Sequence, residues 1–173
     1  MKRSAIYPGS FDPLTFGHLD IIERATHMFK RVIVTVAVNR KKNSLFTVDE
    51  RMELIKQCLA DKPWAHKVEI DKFSGLLVRY AEQREAHTLI RGIRQVTDFE
   101  YEFSMALTNR QVNKDIDTIF LMPDEGLTYV SASLVREVAY WDGDISHFVP
   151  KIVQEALREK FKKVREAEAA RNN

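Results

Sequence analysis

Cysteine is almost missing from this chain: Cys58 is the only one in 173 residues. That excludes an internal disulfide and any structural zinc site built from several cysteines, and it points to a reducing compartment. Cys58 sits in Leu54-Ile55-Lys56-Gln57-Cys58-Leu59, on the apolar face of an expected helix, where core packing is a better reading than reactivity. Glycine and proline are also sparse, at six and five residues, so neither a fibrous nor a disordered chain is indicated. No segment approaches the roughly 20 consecutive apolar residues that span a bilayer. Behind Lys2 and Arg3 there is no apolar run of the kind that directs export, so a cytoplasmic protein is expected.

An excess of charge of either sign is lacking too. With 27 basic and 25 acidic side chains, the sequence has no electrostatic footprint suited to coating nucleic acid. Lys160, Lys162, Lys163 and Arg165 form a basic cluster near the C-terminus, but Glu159, Glu166 and Glu168 among them favour an ordinary charged helix over an RNA-binding arm. An anionic ligand must therefore be met by a local arrangement of groups.

What the chain does have is alternation of strands and helices. Arg3 to Tyr7 reads as a strand, followed by a helix carrying Leu19, Ile22, Ala25 and Phe29 at helical spacing. The run from Val32 to Val38 is β-branched and uninterrupted, as in a central parallel strand covered on both faces. Thr47-Val48-Asp49-Glu50 has capping-box spacing and predicts a helix from Val48 to about Leu59. Strands at Lys67 to Ile70, Thr88 to Ile90 and Thr118 to Met122 alternate with helices over Leu76 to Arg84 and Asp98 to Gln111. The second of these helices places Phe99, Phe103, Ala106 and Leu107 on one face. Helices from Ser131 to Tyr140 and from about Pro150 to Ala170 complete the chain, with an end that frays from about Glu166. The pattern predicts one α/β domain spanning residues 1–173: a Rossmann-like, doubly wound parallel sheet with helices on both faces. Its ligands would lie beyond the carboxyl ends of the strands.

Two strand ends carry the chemistry. After the first strand come Tyr7-Pro8-Gly9-Ser10-Phe11-Asp12-Pro13 and Thr15-Phe16-Gly17-His18, where Gly9 and Gly17 remove side chains near a helix N-terminus whose free N–H groups favour an anion. His18, in the first helical turn, can hydrogen-bond a phosphate oxygen, with the helix end opposing its protonation. Beyond a later strand, Leu89-Ile90-Arg91-Gly92-Ile93-Arg94 presents two guanidinium groups with a glycine between them to admit a close ligand. Alone, that pair reads equally well as surface arginines bridged to Asp98 or Glu100.

The Gly-Ser-Phe-Asp-Pro segment followed by Thr-Phe-Gly-His resembles the signature of nucleotidyltransferases related to class I aminoacyl-tRNA synthetases. Nicotinate-mononucleotide adenylyltransferases and small cytidylyltransferases share this opening. Later motifs narrow the likeness: Arg-Gly-Ile-Arg, then Asp98-Phe99-Glu100-Tyr101-Glu102, Met122-Pro123 and Ser131-Ala132-Ser133-Leu134-Val135-Arg136-Glu137. Together, from Arg3 to about Leu157, they resemble the bacterial phosphopantetheine adenylyltransferases. The resemblance implies transfer of AMP from ATP to 4'-phosphopantetheine with Mg²⁺ accompanying the nucleotide, a homohexamer, and feedback inhibition by coenzyme A. It implies acceptor contacts at Ser10, Lys42, Leu77 and Arg91. It implies nucleotide contacts at Ser10, Phe11, His18, Gly92, Ile93, Arg94 and Glu102, and at Leu127, Thr128, Tyr129, Val130, Ser131, Ala132 and Ser133.

Two positions depart from the family pattern. Ser10 stands where threonine is more common and keeps the hydroxyl, while Ala132 replaces a serine and removes one hydrogen bond. Lys42 lies in the basic loop Arg40-Lys41-Lys42-Asn43, where Lys41 could share its role; without the resemblance the loop reads as solvated surface. The side chains of Leu127, Tyr129 and Val130 suit a core equally well, with their backbone lining a nucleotide site. No Ser-His-Asp or Cys-His constellation stands out, which agrees with a transfer whose phosphate nucleophile needs no enzymic base; a silent nucleotide-binding regulator, binding ATP without releasing pyrophosphate, is the rival reading from another class.

Overall fold

The computed structural model describes residues 4–38 and 44–171. Five strands, β1 (Ser4–Gly9), β2 (Arg31–Ala37), β3 (Val68–Phe73), β4 (Thr88–Gly92) and β5 (Asp117–Leu121), form one sheet in the order β3-β2-β1-β4-β5. Every neighbouring pair is parallel, with Ile6 opposite Ile33 on one side of β1 and Leu89 on the other. The sequence order reverses between β1 and β4. That topological switch opens a crevice at the carboxyl ends of these two central strands, where Gly9 and Gly92 lie.

Helices α1 (Phe16–Met28), α2 (Val48–Leu59), α3 (Leu77–Gln83), α4 (Val96–Val112), α5 (Ala132–Tyr140) and α6 (Lys151–Arg171) complete the fold. Successive strand residues point to opposite faces, and the core divides accordingly. Ala5, Tyr7, Val32, Val34, Val36 and Ile90 pack with α1, α2, α5 and α6. Ile6, Ile33 and Leu89 pack with Val78 and Ala81 of α3 on the other face. The uninterrupted apolar run of β2 is thus explained by cover on both sides.

Local signals fix the helix ends. The α2 capping box forms as its spacing predicts, with Glu50 N–H donating to Thr47 Oγ1 at 3.2 Å and Thr47 N–H donating to Glu50 Oε2 at 2.7 Å. Cys58 is buried on the inner face of that helix, and burial pushes its thiol up to about 11, so it stays protonated and unreactive. Helix α6 continues to Arg171, past Glu166 where fraying is expected.

Helix α4 behaves differently. Its apolar face forms as the periodicity predicts, yet the described residues leave much of it open: Phe99 meets Phe120 edge-on, but Phe99, Phe103 and Leu107 are exposed, and Asn109 is the buried residue of the helix.

Candidate active site

The loop leaving β1 is shaped by packing around Phe11. This residue has φ of 47°, in the left-handed region that costs a side chain of this kind roughly 1–2 kcal/mol. Its ring is buried against Tyr7 and His18, with centroids 5.5 and 5.1 Å apart in edge-on geometry. A Cβ on Gly9 would stand 2.8 Å from the Phe11 ring. The returning Phe11 ring thus gives Gly9 a packing reason in addition to the expected access for a phosphate. Because that ring is sealed in the core, Phe11 can meet a ligand only through its backbone.

The Asp12–Pro13 peptide is cis, and Thr15 then caps α1. Thr15 Oγ1 accepts the His18 N–H at 3.3 Å, while the Thr15 N–H donates to His18 Nδ1 at 3.0 Å. His18 thus completes a capping box in place of the usual acidic or amide side chain. Since Nδ1 accepts a backbone N–H, the ring proton lies on Nε2, which is left as a donor. Burial first, and then the nearby Arg94 charge, bring the His18 pKa down to about 4.

At the end of β4, Arg91 grips Glu102 of α4 with two parallel hydrogen bonds, Nε reaching Oε2 at 2.6 Å and Nη2 reaching Oε1. Its Nη1 donates to the Pro8 carbonyl at 3.1 Å, tying β4 to β1 across the switch point. Burial works to lower the Arg91 pKa, but the hydrogen bonds and charge of Glu102 outweigh it and raise it. Arg94 does pair with Asp98, as the surface reading of the two arginines allows, through Nε at 3.2 Å and Nη2 at 3.3 Å. It also donates from Nη1 to the Val130 carbonyl at 3.2 Å, joining β4 to the loop before α5.

Gly92 has a packing reason that the sequence conceals, because a Cβ there would lie 2.6 Å from Ile21 Cδ1. Gly17 differs: an added Cβ would meet Leu127 and Thr15 only at 3.7–3.8 Å. Ile93 is buried and donates its N–H to Leu121, closing β4 onto β5.

The loop 127–131 resolves into distinct roles. Val130 belongs to the core, Tyr129 is exposed with its ring edge against Phe148, and Leu127 and Thr128 are half-buried. Ser131 caps α5 by accepting the Leu134 N–H at 3.1 Å, and its hydroxyl lies 3.1 Å from that of Ser133. The earlier N–H groups of this helix, including that of Ala132, have no partner within the helix and suit an anion. Ser10 is exposed at the mouth of the crevice, and Leu77 opens α3, half-buried against the smaller cluster. Lys42 and Lys41 lie outside the described residues.

Three residues without an assigned role in the sequence hold this site together. Asp12 is buried, and its carboxylate accepts the N–H groups of Leu45 and Phe46, both at 2.9 Å. Arg51 of α2 is 3% exposed and donates to the Ser10 carbonyl at 2.7 Å. Arg136 of α5 donates to the Asp12 carbonyl, with the Asp12 carboxylate 3.6 Å away. Burial lowers the Arg51 pKa and the Asp12 charge opposes that shift. Arg51 carries a legible signal, since it shares the apolar stripe of α2 with Leu54, Ile55 and Cys58.

A cavity of about 660 Å³ between α2 and α6 lies away from the strand ends. The charges on its rim pair among themselves or with neighbours, Glu50 with Lys160, Glu159 with Lys163 and Asp49 with Lys72, which leaves little to recognise a charged ligand.

Comparison with known proteins agrees with this geometry. Residues 6–138 match the cytidylyltransferase-like family. A phosphopantetheine adenylyltransferase of Caldanaerobacter subterraneus subsp. tengcongensis is 52% identical over 161 residues, covering 93% of this chain and 99% of the relative. One from Geobacter metallireducens is 48% identical over 164 residues, covering 95% and 99%. Among solved structures, a Plasmodium falciparum nicotinic acid mononucleotide adenylyltransferase complexed with NaAD superposes with a TM-score of 0.70 at 15% identity, covering 92% of this chain and 96% of that one; this likeness speaks to the fold alone.

Proposed function

Because the chain belongs to the phosphopantetheine adenylyltransferases, within the cytidylyltransferase-like family, we propose that it transfers AMP from ATP to 4'-phosphopantetheine, giving dephospho-coenzyme A and pyrophosphate. One observation carries the mechanism: a neutral His18 with its Nε2–H free, beside Arg94 and near the switch point. The phosphate of 4'-phosphopantetheine attacks the α-phosphorus of ATP and pyrophosphate leaves. A phosphate monoester has a second pKa near 6, so the nucleophile arrives ionised and needs no enzymic base. His18 cannot serve as that base, because Nδ1 is engaged by the Thr15 N–H and Nε2 already carries a proton.

Catalysis then rests on alignment and on stabilising charge where it develops. His18 and Arg94 act on the α- and β-phosphates, and the first turn of α5 with Ser131 and Ser133 supplies further donors. Ser10, Lys42, Leu77 and Arg91 receive the acceptor. Glu102, Phe11, Gly92, Ile93 and the segment 127–133 surround the nucleotide. Mg²⁺ accompanying ATP would be held by the nucleotide's phosphates and would neutralise part of their charge.

Assembly as a homohexamer in the cytoplasm completes the reading. The exposed apolar face of α4, with Val96, Phe99, Phe103, Leu107 and Val112, supports burial against other copies. Coenzyme A shares the adenylate and pantetheine parts of the product, which supports feedback inhibition at the same crevice. The decisive experiment supplies ATP, Mg²⁺ and 4'-phosphopantetheine and measures pyrophosphate and dephospho-coenzyme A together. Equal amounts of both are expected; turnover with nicotinate mononucleotide alone would overturn the acceptor.

A further inference from the structure

We propose that Arg136 is a positioning residue for the transfer, holding the loop that carries Ser10, Phe11 and Asp12 in register with the nucleotide-binding start of α5. The inference rests on the adenylyl-transfer reading. Phe11, in its left-handed conformation, is flanked by two carbonyls that arginines from different helices hold: Arg51 of α2 takes the Ser10 carbonyl at 2.7 Å and Arg136 of α5 takes that of Asp12. Both flanks of the irregular residue are thereby fixed, and with them the Phe11 ring that packs edge-on against His18. The Asp12 side chain is committed elsewhere, to Leu45 and Phe46, so the loop is gripped from three directions.

Arg136 has a second relationship that Arg51 lacks. It stands four residues after Ala132 and three after Ser133, so its side chain shares a helical face with the anion-binding first turn of α5. One short, rigid helix therefore carries phosphate donors at its start and a guanidinium that clamps the opposite wall of the crevice one turn later. Any displacement of α5 on nucleotide binding is passed to the loop bearing Ser10 and Phe11, and through the Phe11 ring to His18 of α1. Alignment of this kind contributes in the transition state more than in the bound ground state, because misplacement of reacting groups by about 1 Å costs on the order of 100-fold in rate.

The test compares Arg136→Ala, Arg136→Met and Arg136→Lys in the full-length protein. Three quantities are read: kcat per folded enzyme, ATP affinity by calorimetry without acceptor, and His18 titration by NMR without any substrate. Both the Ala and Met variants should lose kcat by roughly tenfold or more with ATP affinity within about threefold of wild type. In both, the His18 titration midpoint should move upward, as a loosened Phe11 stack admits water to the imidazole. The Lys variant, which keeps a cation at the Asp12 carbonyl and carboxylate, should stay near wild type in all three. An unchanged kcat in the Ala variant, or a kcat loss matched by an equal loss of ATP affinity, overturns the proposal, as does an Arg136→Met enzyme equal to wild type. If the wild type itself does not adenylylate 4'-phosphopantetheine while the His18 midpoint still shifts in the variants, the transfer reading fails and the positioning role stands.

Discussion

Arg91 and Glu102 form a two-pronged ion pair at the end of β4, although the family resemblance gives one to the acceptor and the other to the nucleotide. If Arg91 receives the acceptor's phosphate as proposed, that phosphate must share the guanidinium with Glu102 or replace Glu102 on it, and the pair then links the two substrates as well as tying β4 to α4. Arg91→Ala removes the phosphate ligand and strands Glu102, whose side chain is 13% exposed. It should lower kcat/KM for 4'-phosphopantetheine by about 100-fold and cost about 1–3 kcal/mol of stability. Steady-state kinetics and urea denaturation check both; a variant that loses stability but keeps the acceptor KM would remove Arg91 from the acceptor site.

The glycines give a sharper contrast. Gly92→Ala brings a methyl to 2.6 Å from Ile21 Cδ1, the movable end of that side chain, so the cost should lie at the low end of overpacking, about 1 kcal/mol. Adding Ile21→Val opens space and should recover part of that loss in denaturant midpoint. Gly17→Ala makes only ordinary contacts, so its stability should stay close to wild type, and any activity it loses reports on ligand approach.

The strands and most helix ends are legible in the sequence because their causes are local: a β-branched run for β2, a capping box for α2, and apolar spacing for α5 and α6. The Gly-His motif and the Arg-Gly-Ile-Arg segment are legible as chemistry for the same reason, each lying within a few residues of a strand end. The clamp on the motif loop is not. Asp12 finds its partners 33, 34 and 124 positions along the chain, and local pattern carries no information about such distances. The packing constraints on Gly9 and Gly92 are not legible either, because the Phe11 ring and the Ile21 methyl that crowd them are placed by tertiary packing. The α4 periodicity marks an apolar face, but period alone does not say whether the chain itself covers it.

That uncovered face yields a prediction about assembly. Phe103→Glu or Leu107→Glu places a charge on an exposed apolar stripe without disturbing the core. Either should shift the protein toward monomers in sedimentation velocity while leaving its thermal midpoint close to wild type at low concentration. A wild-type protein that sediments as a monomer at all concentrations would remove the interface from α4.

His18 determines how stability responds to acid. Its folded pKa of about 4 lies below the unfolded value near 6.5. Between these values the unfolded chain binds a proton that the native state refuses, so native stability falls as pH drops through this window and is fully present above it. The contribution is of order 1–3 kcal/mol, since each tenfold change in proton affinity is worth about 1.4 kcal/mol and the ring is only partly enclosed. His18→Gln keeps an acceptor near the Thr15 N–H, cannot titrate, and should flatten the loss of urea midpoint between about pH 6.5 and about pH 4.5. Activity should respond to a different group: because His18 stays neutral at pH 6, the acid limb of kcat/KM should follow the acceptor phosphate near pH 6. An acceptor analogue whose phosphate has a lower second pKa should move that limb downward by the same amount. A limb that stays fixed when the analogue is changed would assign it to the enzyme and return His18 to consideration as a titrating group.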